Sequence, residues 1–336
     1  MKGLFTQGIA ILAERPIGLD EIQPLLKNHP FLRTIEAREE WVFGGPTAVI
    51  AYRPEVNGML VIDTVDHPWP DSMGDPKTDP MVFGAWTMGQ FGPFTYPNGL
   101  QRATQQAWAW PEAKNQIPNH RAFLRLRISY VLGTGPDAKV LPPTYDPRHE
   151  LEFLIPIAQQ LLSHPAVIAY FNPNGEVVAT GQTVTESLDY HSEHNLPPLD
   201  LWSNVRLFNL TPEWLAMDTV GVAQLDLPDH EAVFAKGSHA PNDVANFLRN
   251  TTLYVLTNGP KIRHNDTIDG PGGSRWQAKL LSEPLSDPPR DVICWVPVDA
   301  EDLPGRVTQR KPAEPPRPSQ GEDKAPKKRW WQVWRK

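Results

Sequence analysis

The chain has 336 residues, 40% of them hydrophobic, with 37 prolines, 12 tryptophans, one cysteine and a formal net charge of −7. This composition supports a sizeable core and excludes a disordered chain or a disulfide scaffold. Residues 304–336 hold 10 Lys/Arg against 3 Asp/Glu, which leaves 22 against 36 in the first 303; so acidic a body argues against duplex nucleic acid as its partner.

At the start, MKGLFTQGIAILAERP, Thr6, Gln7 and Gly8 interrupt the apolar run and Glu14-Arg15 close it. We read residues 8–13 as a strand rather than a signal peptide, and no window reaches the length of a transmembrane helix. A short helix follows with Leu19, Ile22, Leu25 and Leu26 at helical spacing. Strands are expected at 40–43, 48–52 and 59–65, the last two joined by an Asn57-Gly58 turn.

Residues 67–99 show no clear period and contain five Gly, six Pro and six aromatics. Their aromatic residues either plug one side of the core or, through Trp69, Phe83 and Trp86, form a ligand or partner surface. A helix is expected over 100–110. The strand RAFLRLRISYVL then places Ala122, Leu124, Leu126, Ile128 and Tyr130 on one face and Arg121, Arg125, Arg127 and Ser129 on the other. Helices over 150–162 and 184–194, the latter with a Thr183…Glu186 capping pattern, flank a strand at 166–171.

Further strands are expected at 202–209, 214–220, 275–281 and 292–298. A helix begins at Pro241, with Val244, Phe247, Leu248, Thr251 and Val255 inward and Gly259 closing it. The class is therefore α+β, with mixed or mostly antiparallel sheets in a body over residues 1–303. AVIAY occurs at 48–52 and 166–170; read as a duplication, it would divide the body into related halves, 1–145 and 146–303. Beyond it come a disordered proline-rich linker, 304–328, and a basic tail, 329–336.

Four stretches, WAWPEAKNQIPNHRAFLRL at 108–126, AVIAYFNPNGEVV at 166–178, DLWSNVRLFNL at 200–210 and MDTVGVAQLDLPDHE at 217–231, are followed by a helix and an NDTIDGPGG turn. Together they resemble a bacterial family, DUF4261, a domain of unknown function, over residues 100–285. At the late turn Asn265-Asp266-Thr267 stands where the family's Asp-Gly-Asp-Thr pattern is expected. The resemblance implies no chemistry.

Several residue groups qualify as candidate sites. His191 and His194 in DYHSEH are three apart, whereas a helical zinc site favours four, so a charge interaction at a helix C-terminus competes with metal binding. Asp229, His230 and Glu231 would support acid–base chemistry if buried and convergent, against a solvated acidic loop as the plain alternative. Asp71, Asp75 and Asp79 recur in the long loop among prolines that forbid a helix there, and GPGGS at 270–274 is a turn rather than a phosphate cradle. Arg121, Arg125 and Arg127 either hold an anion or pair with carboxylates. Cys294, within VICWVPV, reads as a core thiol and fits a reducing cytosol.

The C-terminal RWWQVWRK stands apart from the body. On a helix Trp330, Trp331 and Trp334 share a face, with Lys327, Lys328, Arg329, Arg335 and Lys336 supplying charge. Such a segment suits an anionic membrane surface, an acidic groove on a protein partner or an intramolecular clasp onto the acidic body, and less well single strands of nucleic acid, with a terminal tag without function as the plain alternative. The expectation is a cytoplasmic binding or adaptor module, peripheral at the inner membrane face where the tail docks, with no cofactor or metal; oligomeric state is left open. The alternative is an enzyme built on the His and carboxylate groups.

Overall fold

The computed structural model describes residues 2–36, 43–135 and 137–313. Its first sheet contains β1 (Gln7–Ala13), β2 (Phe31–Ile35), β3 (Thr47–Arg53), β4 (Gly58–Val65), β5 (Ala122–Ser129), β6 (Val167–Asn172) and β7 (Val177–Ala179), in the order β2-β3-β4-β5-β1-β6-β7. The second contains β8 (Asn204–Asn209), β9 (Trp214–Val220), β10 (Asp229–Ala235), β11 (Thr267–Asp269), β12 (Arg275–Leu281) and β13 (Val292–Pro297), in the order β11-β12-β13-β10-β9-β8. Among the described strands β10 and β13 run parallel and the other pairs antiparallel. The α+β class with mostly antiparallel sheets is what the mixture of hairpins and helices calls for.

Every residue of β1 and β5 is buried, because the first sheet is covered on both faces. On one, Ile9, Ile11, Leu124 and Leu126 share a core with Leu151, Leu154 and Ala158 of the Pro147–Leu161 helix. On the other, Leu12 and Phe123 meet Trp69, Trp86 and Phe91. Trp69 lies with its ring edge-on to Phe91, Phe123 and Phe171, at centroid separations of 5.1 to 5.2 Å, a favoured geometry for aromatic quadrupoles. The plain reading of 67–99 is therefore the structural one.

That stretch is nevertheless not without helix. Pro80–Thr87 is helical with Pro80 in its first turn, where a missing N–H costs nothing. Asp71 caps the next helix, Gly99–Gln105, accepting from Leu100 and Gln101 amides at 2.8 Å each. It is thus a buttress rather than part of a solvated acidic ladder.

Other boundaries move for local reasons. The Gly181–His194 helix is capped by Thr180, whose hydroxyl accepts from the Thr183 amide at 3.1 Å, not by Thr183. Of the strand expected at 40–43, residues 40–42 lie outside the described residues and Phe43 is in a turn; the preceding strand is β2, a mostly exposed edge. Both AVIAY copies fall in the first sheet, on β3 and β6, so the two sheets divide between Ala179 and Asn204 rather than at 145.

The sheets meet at the β6–β7 turn. Asn204 donates its amide to Gly175 O at 3.1 Å, and a Cβ on Gly175 would stand 2.0 Å from Trp202 O. Only glycine allows so close an approach of two backbones. At the other end, residues expected to begin the linker are packed. Gly305–Thr308 is helical, Val307 is buried, and Pro312 bridges Leu281, so the packed body extends at least to Ala313.

Candidate functional site

The second sheet carries one long helix, Pro241–Asn258, whose inward stripe is the expected one: Val244, Phe247, Leu248, Thr251 and Val255 are all buried. Phe247 packs over Trp276 and Trp295 at ring-centroid distances of 5.3 and 5.5 Å. Gly259, at positive φ, ends the helix, and the chain returns through residues 260–266 to β11. Asn265 donates to Ala278 O at 2.8 Å and Ala278 donates back to Asp266 O at 2.9 Å, which ties this return segment to β12.

Between helix and return segment lies an open cleft of about 680 Å³. Phe247, Tyr254, Ile262 and Ile268 give it an apolar lining, while Asn250, Lys261, Asp266, Thr267 and Asp269 supply polar groups. Tyr254 is 48% exposed, a large aromatic left on an open wall. β11 is an edge strand, so one row of its backbone N–H and C=O groups has no strand partner among the described residues. The wall is held by side chains: Arg275 donates to Asp269 at 3.0 Å and to Thr267 at 2.6 Å, and Lys279 donates to Asn265 at 2.8 Å. A cleft of mixed lining beside an edge strand is a setting that suits an extended peptide, whose backbone can pair with a strand edge while its side chains enter the cleft.

The nominated histidines do not converge. His191 Nδ1 engages Ser187 O and His194 Nδ1 engages Tyr190 O, each at 2.7 Å, one turn back on their own helix. His191 Nε2 lies 3.6 Å from Asp200, and His194 stacks on Tyr190. Among the described residues no group of three or more His, Cys, Asp or Glu is arranged to hold a metal ion.

Asp229, His230 and Glu231 are not a solvated loop. They begin β10, between β9 and β13, and are fully buried. Strand alternation separates the histidine from the two acids. Asp229 accepts from the Thr219 hydroxyl at 2.8 Å and the Val222 amide at 3.1 Å. Glu231 accepts from the Leu285 amide and from Arg310, both at 2.6 Å. Burial raises the pKa of both acids, against the pull of Arg290 on Asp229 and of Arg310 on Glu231. On the opposite face Trp295 Nε1 donates to His230 Nδ1 at 3.1 Å, which puts the ring proton on Nε2, and desolvation lowers the imidazole pKa to about 3.

The expected ligand surface also dissolves into the core. Trp69 and Trp86 are buried and Phe83 is partly covered. Arg125 and Arg127 are buried on Asp63, with Arg127 Nη2 to Asp63 Oδ1 at 3.0 Å. Burial opposes the Asp63 charge, but the two guanidinium groups outweigh it and lower its pKa. Only Arg121 is exposed, bonded to the Pro118 and His120 carbonyls. Lys327, Lys328, Arg329, Trp330, Trp331, Trp334, Arg335 and Lys336 lie outside the described residues.

Sequence reasoning missed two buried polar clusters. One joins the sheets: Arg102 and Arg206 both reach Glu176, and Arg206 and Arg290 both reach Asp218. The other surrounds Glu150, which accepts from Thr6 Oγ1 at 2.6 Å, while Lys2 reaches Tyr145 and Asp226 nearby. Burial raises the Glu150 pKa to about 7. Its place at helical spacing from Leu154, Ile157 and Leu161 was a readable sign of an inward carboxylate.

No curated protein and no solved structure matches the chain. The family comparison is positive, over a shorter stretch than the resemblance at 100–285: residues 218–296, from β9 to β13 and including the helix and its cleft, match the model of a domain of unknown function, DUF4261.

Proposed function

We propose that the protein is a binding module that captures an extended peptide segment of a partner in the cleft between the Pro241–Asn258 helix and β11. The observation that carries this reading is a cleft of mixed apolar and polar lining beside β11, whose outer edge has no strand partner among the described residues. The volume lies within the usual range for ligand sites, and the open walls accommodate a chain running through. An enzyme on His191, His194 or residues 229–231 draws no comparable support, since those groups are bound to separate internal partners.

The Trp-rich tail serves as the docking device of this cytoplasmic module, attaching it to an anionic membrane face or an acidic partner. Its indoles suit an interface, and each cation adds about 1 kcal/mol near an anionic leaflet. Flotation with anionic vesicles should depend on Trp330, Trp331 and Trp334; unchanged flotation after their replacement by Ala would remove the membrane arm.

The cleft itself is tested by selecting displayed random peptides on the full chain. Selected peptides should carry large apolar side chains at alternate positions, protect amides in 261–269 from hydrogen exchange, and bind Tyr254→Ala about tenfold more weakly. Peptides that bind Tyr254→Ala equally and leave those amides unprotected would refute the assignment.

A further inference from the structure

The course of the chain toward its C-terminus bears on what fills the cleft. Ala313 donates its amide to Leu280 O at 2.9 Å, and the Leu280 amide donates to His264 Nδ1 at 3.2 Å. Pro312 and Ala313 therefore lie against the same edge of β12 as the return segment. They run antiparallel to β12, toward Asn265 and Asp266. Both of these residues line the cleft. The body thus releases its last described residues beside the cleft, pointed at its wall.

Taking the peptide-binding reading of the cleft as its basis, we propose that residues 327–336 are its intramolecular ligand. In this arrangement one or more of Trp330, Trp331 and Trp334 sit on the apolar lining, and an outside peptide or surface must displace them. The cleft and the tail's docking role are then one switch, in which a tail held in the cleft is not free to dock elsewhere.

Three observations favour this occupant. The first is reach: sixteen residues, 314–329, separate Ala313 from the first indole, enough for roughly 50 Å when extended and about 22 Å as a flexible coil. The cleft starts only a few residues along β12 from Leu280, so the linker brings the tail there at an effective concentration on the order of millimolar. The second is shape, since Phe247, Tyr254, Ile262 and Ile268 offer the open apolar contact that indoles require. The third is charge at the level of the whole body: its first 303 residues carry 36 acidic against 22 basic groups and face a cationic tail, whereas at the cleft itself Asp266 and Asp269 are balanced by Lys261 and by Arg275, which pairs with Asp269.

The test uses the full chain, the full-length variant with Trp330, Trp331 and Trp334 all replaced by Ala, and a synthetic peptide of residues 325–336. The variant should bind the peptide at least about tenfold more tightly than the unaltered chain, which must first release its own tail. Amides in 261–269 should exchange faster in the variant and regain protection when the peptide is added. Equal affinity of the two proteins for the peptide overturns the intramolecular occupancy, as does peptide binding that leaves 261–269 unprotected, or no binding to the variant. Display-selected peptides that still protect 261–269 in the variant would leave the peptide-binding reading standing, so the two failures are distinguishable.

Discussion

Arg206 on β8 reaches Glu176 in the β6–β7 turn, Nη1 to Oε2 at 3.0 Å, and this ion pair spans the two sheets. The same guanidinium binds Asp218 at 2.7 Å, and Arg102 approaches Glu176 from the Gly99–Gln105 helix. Glu176 itself is held at φ 50 and is buried. A left-handed backbone on a buried glutamate is tolerated where its surroundings fix it, and two arginines together with the Gly175–Asn204 contact provide that.

Glu176→Gln should therefore destabilise the protein by about 3 to 5 kcal/mol, because two cations lose their shared counter-charge in a low-dielectric seam. Urea unfolding measures the loss. Exchange should quicken at β7 and β8 before it does at β1; a change below about 1 kcal/mol, within the range of exposed pairs, would show that the seam is not sustained by charge.

Arg310 fixes the last described segment by bonding Glu231 at 2.6 Å and the Glu283 carbonyl at 3.0 Å. Arg310→Met should release residues 304–313 to fast exchange and leave the buried Glu231 without its cation, at a cost of about 3 kcal/mol or more. Adding Glu231→Gln should recover a good part of that loss, since the buried charge is then gone. A double variant no more stable than Arg310→Met would show the segment is held by packing alone.

His230 is neutral in the fold, with its pKa lowered to about 3 by burial, and titrates near 6.5 when unfolded. Between these values the unfolded chain binds the extra proton, so the stability this group contributes is complete above pH 6.5 and declines as the pH falls. Over pH 6.5 to 4.5 the decline is about 2 kcal/mol. His230→Gln, whose amide oxygen can accept from Trp295, should show a shallower acid loss in denaturation curves taken across that range. Parallel curves for the two proteins would contradict a buried neutral imidazole.

Glu150 has the opposite sign. Its carboxyl titrates near 7 in the fold and near 4.5 when unfolded, so the folded state holds a proton that the unfolded chain has lost. Its contribution weakens as pH rises through that window, by about 3 kcal/mol in all. Glu150→Gln, which keeps an oxygen for the Thr6 hydroxyl, should gain stability relative to the unaltered chain between pH 5 and pH 8. Thermal unfolding at the two pH values measures this, and an equal offset at both would show that Glu150 does not titrate between them.

Periodicity made the α+β class, the inward stripe of the Pro241–Asn258 helix and the strands β5, β9, β12 and β13 legible without the structure. Apolar spacing on one face marks the helix and β5, and a continuous apolar run marks β13, although both faces of β5 and β13 are buried. β10 was hidden because its first three residues, Asp229, His230 and Glu231, are polar and ionisable. A strand with both faces buried can begin with Asp, His and Glu only if other elements bring Thr219, Trp295, Leu285, Arg290 and Arg310 to them. Apart from Thr219, ten residues back, those partners lie more than fifty residues along the chain, and local spacing carries no record of them. Asp63 with Arg125 and Arg127 followed the same rule, with the pairing to carboxylates foreseeable and the partner not.

The sequence by itself determined the alternation of elements, the acidic body, the basic Trp-rich end and the family resemblance, each of which is written in local order or composition. Only the tertiary structure decided which charges were internal and where a cleft opened. Burial and convergence arise when segments distant in sequence pack together, and the cleft exists only because the helix, the return segment and β11 come together.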